Sequence, residues 1–242
     1  MTWQRARRPE QKDERRRVIL ESAATLFSER GYEGVSLSAI ARRAGIAKSN
    51  LYSYFGTKEE IFLKIYLQDV GRWVEAAEGA LAPHAGCNDP DLVARELAAT
   101  VTARPRMASL LALLFGVLER NVCFQTVVEF NTALEAYAQR VVRLLQGVFP
   151  GLSGKEAVQF MMHMHALVIG LWPMGDPPEV VDQALERPEF AHLRVDFRSA
   201  LEFALAALLR QSAQGRRPCG QHEEPRQDKS AEQSAFDEAR TR

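Results

Sequence analysis

Apolar residues recur along most of this chain with the 3.6-residue period of an amphipathic helix, and no stretch shows the two-residue alternation of a half-buried strand. Ile19, Ala23 and Leu26, flanked by Leu20, Ala24 and Phe27, form the inner face of a helix predicted over 12–30, which Gly31 stops. Ser36 is placed to N-cap a short helix whose stripe is Leu37, Ile40, Ala41 and Ala44, ended by Gly45. A tight turn leads into 48–55, where Leu51 and Phe55 share one face. Thr57-Lys58-Glu59-Glu60 reads as a capping box opening a long helix to about 81.

Beyond a loop at 83–88, Asp89-Pro90 and then Pro105 open helices predicted over 89–102 and 105–116. A long helix over 121–147 follows, closed by Gly147 and Pro150. Ser153-Gly154-Lys155-Glu156 is a second capping box, opening a helix over 154–172 that Trp172-Pro173 should end. A short helix over 178–187 precedes the last one, 196–210, capped by Asp196 and striped with Phe197, Ala200, Leu201, Ala204, Leu205 and Leu208. The expected fold is therefore all-α. Residues 1–10 read as a loose basic arm, 11–56 as a helix-turn-helix domain, 57–210 as a helical body and 211–242 as a polar tail with too little apolar surface to offset the entropy of ordering.

Composition narrows the classes. The 242 residues are 46% apolar and 26% charged, as in an ordinary globular protein. The basic N-terminus is followed by no apolar segment of signal-peptide type, and the most apolar stretch, 158–172, is short and carries two histidines; a cytoplasmic protein without a membrane span is expected. Cys87, Cys123 and Cys219 are widely spaced and form neither a disulfide framework nor a CxxC clamp. Net charge is zero, but residues 1–66 hold 13 Lys/Arg against 8 Asp/Glu, and residues 67–210 hold 12 against 17. A basic small segment on an acidic larger one suits a nucleic-acid reader with a separate body.

Two short helices joined by a glycine turn and braced by a helix in front make a helix-turn-helix unit. A small core of Leu37, Ile40, Ala41, Leu51 and Phe55 would fix the second helix so that its start protrudes into a DNA major groove. The protruding set includes Lys48, Ser49, Asn50 and Tyr52; Lys48 can donate to a guanine edge and Asn50 can pair with adenine. Tyr54, Thr57 and Lys58, with Arg5, Arg7 and Arg8 of the arm, suit the phosphate backbone. A capped helical hairpin with a solvated polar face would show much of the same pattern.

Residues 19–63 add more than that pattern. Ile19, Ala23, Leu26-Phe27, Gly31-Tyr32, Ser36, Ile40-Ala41, Ala44-Gly45-Ile46, Leu51-Tyr52-Ser53-Tyr54-Phe55 and Lys58-Glu59 with Ile61 together resemble the DNA-binding domain of the tetracycline-repressor (TetR) family. The resemblance implies DNA contacts from Ser36, Ser38, Lys48, Ser49, Asn50, Tyr52, Tyr54, Thr57 and Lys58, and a helical body that binds a small molecule and dimerises through its last two long helices. One departure stands out: Ala47 occupies a position where the family often has a capping Ser or Thr, so the reading helix starts without that cap, at Lys48 or Ser49.

Other clusters fail on spacing. His163 and His165, within Met161-Met162-His163-Met164-His165, lie two apart on a helix and do not face each other, so no metal site is expected. Leu152-Ser153-Gly154-Lys155-Glu156 lacks the first Gly and the Ser/Thr of a P-loop, and no catalytic nucleophile motif occurs; neither an enzyme nor a cofactor is implied. Asn131 lies in the apolar arc Phe124, Val127, Val128, Leu134, Ala138, Val141 and Leu145, and either bonds neighbouring backbone or anchors a guest. The expected guest site lies between 89–102, 105–116 and 121–147, lined by Met107, Leu111, Phe115, Phe124 and Val128 with Asn131 as the polar anchor. The resulting expectation is a regulator that binds a palindromic double-stranded operator as a homodimer and is released by a small lipophilic effector; the alternative is an effector-free DNA-binding architectural or interaction factor.

Overall fold

The computed structural model describes residues 9–214. Arg5, Arg7 and Arg8, and the tail beyond 214, lie outside the described residues. Among the described residues every regular element is helical. In chain order these are α1 (Pro9–Arg30), α2 (Leu37–Arg43), α3 (Lys48–Leu51), α4 (Lys58–Leu81), α5 (Pro90–Thr102), α6 (Pro105–Leu113), α7 (Phe124–Val148), α8 (Gly154–Gly175), α9 (Glu179–Leu185) and α10 (Phe197–Gln214).

The punctuation residues act where the pattern put them. Gly31 and Gly45 adopt left-handed backbone, with φ of +66° and +67°, and so let the chain turn sharply after α1 and α2. Asp89 Oδ1 accepts from the Asp91 and Leu92 amides at 3.0 and 3.1 Å, Ser153 and Glu156 form a reciprocal box, and Asp196 caps α10 through the Ser199 amide at 2.7 Å.

Three helix ends differ from expectation. The helix after Pro105 is regular only to Leu113; residues Leu114–Leu118 widen into a π turn. α8 runs through Pro173 to Gly175. Proline costs less there than in a helix interior because it lies in the exposed last turn, and the Asp176 amide still bonds Trp172 O at 2.9 Å. At 22 residues and a mean hydropathy of 1.2, α8 is long and apolar enough to cross a membrane by length and composition, with 28% of that stretch buried, and so exceeds the short apolar segment expected over 158–172. α10 continues to Gln214, past the expected end at 210.

α4 is the axis of the molecule. Its N-terminal half packs on α1 and the rest on α5, α6 and α7, while α10 lies along α5 and α8 along α6 and α10. Phe62 stacks at a tilt against Phe27 and Tyr32, and Tyr66 against Phe130 of α7 at 6.1 Å. Gly71 lets α7 approach closely, because a Cβ there would stand 2.7 Å from the Tyr137 hydroxyl. Polar pins fix the rod. Asp69, buried in its middle, accepts two 2.7 Å bonds from the Arg106 guanidinium at the start of α6. Arg140 of α7 grips Glu78 at 2.9 and 2.6 Å, and this hydrogen-bonded guanidinium holds the Glu78 carboxyl below the usual carboxylate range.

Two stripes on α7 lie one residue apart, and the one led by Phe130 turns inward. Phe130, Val141, Leu145 and Val148 are buried, with Leu134 and Tyr137 half-buried among them. Phe124, Val128 and Asn131 therefore face solvent, and Asn131 needs no buried partner.

Removing Arg106 strands a buried carboxylate. Arg106→Met should destabilise the protein by about 2–3 kcal/mol, less than for a fully buried pair because Arg72 also reaches Asp69, at 3.3 Å. Urea unfolding measures this, and an unchanged midpoint would remove the pin from the account. Glu78 sets an acid limb: its depressed carboxyl adds stability above the ordinary carboxylate pKa that is lost as pH falls through the lower folded value. The stability gap between wild type and Glu78→Gln should thus be flat at neutral pH and shrink progressively below about pH 4.

Candidate DNA-reading head and effector-binding body

The head is built by α1, α2 and α3 over a core of Ile19, Ala23, Leu26, Ile40, Ala41, Leu51 and Phe55. Ser36 holds extended backbone and its Oγ accepts from the Ala39 amide at 3.2 Å, so the hydroxyl expected to meet DNA also starts α2. Arg43 reaches back to Glu29 of α1 through two 2.7 Å bonds, which clamps α2 onto α1.

The reading helix starts at Lys48, on Ala47, which has extended backbone and offers no side-chain cap. It is regular only to Leu51; from there tight turns carry the chain on, with Tyr54 N–H donating to Leu51 O at 2.9 Å and Phe55 N–H to the same oxygen at 3.1 Å. Lys48, Ser49 and Asn50 are exposed on its first turn, and Tyr52 follows with half of its surface free. Ser38 is exposed on the neighbouring turn of α2. The Lys48 ammonium stands 5.9 Å from the centroid of the Tyr52 ring, a contact that draws the two side chains together along the same face.

Three predicted residues are less free. Tyr54 is half-buried and lines a hollow of about 350 Å³ between head and body, with Arg16, Glu60, Lys64 and Glu129. Thr57 Oγ caps α4 by accepting from the Glu60 amide at 3.1 Å. Lys58, expected to face a phosphate, is half-buried: its ammonium donates to Tyr32 O at 3.2 Å and sits 3.7 Å from the centre of the Tyr32 ring. Tyr32 in turn donates to Glu59 at 2.8 Å, and burial followed by the Glu59 carboxylate pushes its phenol up.

The sequence identifies Glu60 only as the last residue of the capping box at 57–60. The box at 57–60 closes on the Gly56 amide, which donates to Glu60 Oε2 at 2.7 Å, while Glu60 Oε1 accepts from Thr126 Oγ1 of α7 at 3.3 Å. One carboxylate thus joins the end of the reading unit to the body. No local pattern signals a bond across 66 residues.

The six residues expected to line an effector site are split. Met107 and Leu111 are buried in the core on α6. Phe115 on the π turn is 60% exposed, Phe124 at the start of α7 is 82% exposed, and Val128 and Asn131 are exposed beyond it. A separate groove of about 480 Å³ runs between α8 and α10, lined by His163, Ala166, Leu167, Ala204, Ala207 and Leu208. The histidines of α8 stay apart, as their spacing demands: His163 is exposed, and the half-buried His165 is pushed down by burial. Among the described residues no three metal-ligating side chains converge.

A helix-turn-helix unit carried on an all-helical body is an architecture of DNA-binding proteins. Residues 19–65 match the family described as bacterial regulatory proteins, tetR family, and residues 67–210 match the tetracyclin repressor-like C-terminal domain. The chain belongs to the TetR family and is a DNA-binding transcriptional regulator, not an enzyme.

Among its relatives is the fatty acid metabolism regulator protein of Bacillus subtilis, 24% identical over 138 residues, 56% of this chain and 63% of the relative. Another is the transcriptional activator FasR of Mycolicibacterium smegmatis, 37% identical over 70 residues, 29% of this chain and 32% of FasR. The chain thus spans less than two thirds of the length of these curated relatives. Similar solved structures share the fold at low identity. A TetR-family regulator from Streptomyces coelicolor aligns with a TM-score of 0.54 at 20% identity, over 82% of this chain and 99% of that one. FadR of Bacillus halodurans gives 0.52 at 17%, over 88% and 99%, and FadR of Bacillus subtilis in complex with stearoyl-CoA gives 0.51 at 20%, over 80% and 96%.

The bare start of α3 makes a direct test. Ala47→Ser supplies an oxygen to the free amides of the first turn and should stabilise the protein by about 0.5–2 kcal/mol. Thermal unfolding measures the gain, and a loss of stability would show that the backbone at 47 cannot serve as a cap.

Proposed function

We propose that this protein is a repressor that binds a palindromic double-stranded operator as a homodimer and is released when a small lipophilic effector enters its body. The observation that carries the reading is the continuity of α4. It begins at Thr57 beside the reading unit and ends deep in the body at Leu81, so a displacement of the body is delivered to the head through one rigid element.

Lys48 and Asn50 read base edges, Ser49 and Tyr52 flank them, and Ser36, Ser38, Tyr54 and Thr57 hold phosphates. Lys58 adds positive charge next to the backbone while its ammonium braces Tyr32. The action belongs in the cytoplasm, where the operator is.

Regulators of this family act as dimers. Leu201 and Leu205, on the expected pairing stripe, are fully buried in the protomer, where α10 lies along α5, so pairing uses the opposite side of α10. That side carries Phe203, 76% exposed, beside Ala207 and Leu208, and α8 adds Met162, 65% exposed, and Val158. Apolar side chains on two adjacent helices suit an isologous four-helix interface. Two heads on successive turns of one duplex face would then stand roughly 34–36 Å apart.

We assign the effector to the exposed Phe115, Phe124, Val128 and Asn131 together with Met107 and Leu111 of the core. The Bacillus subtilis matches point to the chemistry: a fatty acid metabolism regulator, and a FadR solved with stearoyl-CoA. A long-chain acyl thioester is therefore the first compound to test. The exposure of four lining residues, rather than their enclosure, favours the effector-free factor as the second reading.

The test is selection of bound DNA fragments followed by titration. A single palindrome should emerge, and Asn50→Ala should cost about 1–3 kcal/mol on it. Stearoyl-CoA should lower operator affinity by roughly 5–150-fold. Wild-type binding by Lys48→Ala, Asn50→Ala and Tyr52→Ala alike would sink the reading-helix assignment. Operator binding indifferent to acyl thioesters and to a broad lipophilic screen would leave the effector-free factor standing.

A further inference from the structure

The hollow of about 350 Å³ between head and body is walled by α1, the end of the reading unit, α4 and α7, and its chemistry is mixed. Its apolar lining is Leu20 of α1 and Phe55 of the reading unit, both buried, with the half-buried Tyr54. Its charged lining holds two cations, Arg16 of α1 and Lys64 of α4, and two carboxylates, Glu60 of α4 and Glu129 of α7. A volume of this size lies at the small end of the range of small-molecule sites.

The four charges do not neutralise one another. Among the described residues, Arg16 pairs only with the exposed Asp13, at 3.5 Å, and Lys64 pairs with no carboxylate. Glu60 is taken by the Gly56 amide at 2.7 Å and the Thr126 hydroxyl at 3.3 Å, and Glu129 accepts from the Gln125 side-chain amide at 3.2 Å. Each carboxylate keeps acceptor sites in reserve, because an ionised carboxylate offers about four lone-pair sites. Charges of both signs thus stand apart around one apolar lining. A lone ion of either sign would meet like charges there, whereas a molecule that carries both signs can pair each of them.

We propose that this hollow binds a small zwitterion with an apolar side chain, a free α-amino acid of the phenylalanine type. Its carboxylate faces Arg16 and Lys64, its ammonium faces Glu129 and Glu60, and its ring covers Leu20 and Phe55. The Arg16 guanidinium offers the carboxylate a planar fork of donors. The site shares no residue with the effector assignment above and does not depend on it. The bound molecule touches α1, the reading unit, α4 and α7 at once, and so braces the head against the body beside the bridge that Glu60 already makes.

The experiment uses the full chain labelled with 3-fluorotyrosine and follows the Tyr54 fluorine resonance, assigned among the five tyrosines by Tyr54→Phe. L-phenylalanine should shift it saturably in the millimolar range or below. Phenethylamine, which lacks the carboxylate, and 3-phenylpropionate, which lacks the ammonium, should each bind roughly tenfold or more weakly. Lys64→Gln should weaken phenylalanine but not phenethylamine, and Glu129→Gln should weaken phenylalanine but not 3-phenylpropionate. Both side chains are exposed, so both variants keep the fold. Bound phenylalanine should also slow hydrogen exchange at the Gly56 amide. The absence of a saturable shift up to about 10 mM phenylalanine overturns the site, and equal affinity for the three probes overturns the zwitterion. Binding without slower exchange at Gly56 overturns the brace. Neither DNA nor an acyl thioester takes part in these measurements, so the proposed function and this site can fail separately.

Discussion

One helix belongs to both halves of this molecule, and the rest is arranged around that constraint. α4 buries all of its circumference but one stripe: Phe62 packs toward the head and Tyr66, Trp73 and Val74 toward the body, while Lys64, Gln68, Arg72, Glu75 and Gly79 are exposed. A helix packed on most of its sides has little room to slide. Its polar groups are tied at four depths. Thr57 and Glu60 hold its start, Asp69 and Glu78 are gripped by arginines from α6 and α7, and the Trp73 indole donates to Thr100 of α5 at 3.1 Å. The head inherits its orientation from this rod, since α1 packs on it directly and the reading unit ends one residue before its cap.

The rod also explains why Glu60 and Lys58 matter more as braces than as surface charges. Glu60 accepts from the Gly56 amide on one side and the Thr126 hydroxyl on the other, so head and body share one carboxylate. Lys58 spends its charge on the Tyr32 ring and carbonyl, which fastens the end of α1 to the start of α4. Thr126 is in turn 3.3 Å from the Cys123 thiol that precedes α7. The start of α7, where Phe124 is most exposed, is therefore within a few bonds of the reading unit.

Much of this was legible in the sequence because it is local. Caps need a Ser, Thr or Asp next to the helix they start; turns need glycine where φ is positive; amphipathic stripes need only a period. Ser36, Thr57, Asp89, Ser153 and Asp196 therefore marked the starts of five helices and Gly31 and Gly45 the ends of two, and the exposed triplet Lys48, Ser49 and Asn50 followed from the turn geometry. The missing cap at Ala47 was equally visible, since it concerns a single side chain.

Tertiary structure decided what depends on partners distant in the chain. α7 carries two apolar stripes one residue apart, and only the meeting of Phe130 with Tyr66 turns one inward and leaves Phe124, Val128 and Asn131 outside. Likewise α10 could bury either side; α5 claims Leu201 and Leu205 and leaves Phe203 to the surface. Pro173, read locally as a stop, lies inside a final turn anchored by Trp172, whose indole donates to Ser109 of α6 at 2.9 Å and whose ring meets Phe197 edge-on. Periodicity determines that a helix has an apolar face; which of two overlapping faces is buried depends on the shape of the neighbour, and that neighbour is specified tens of residues away.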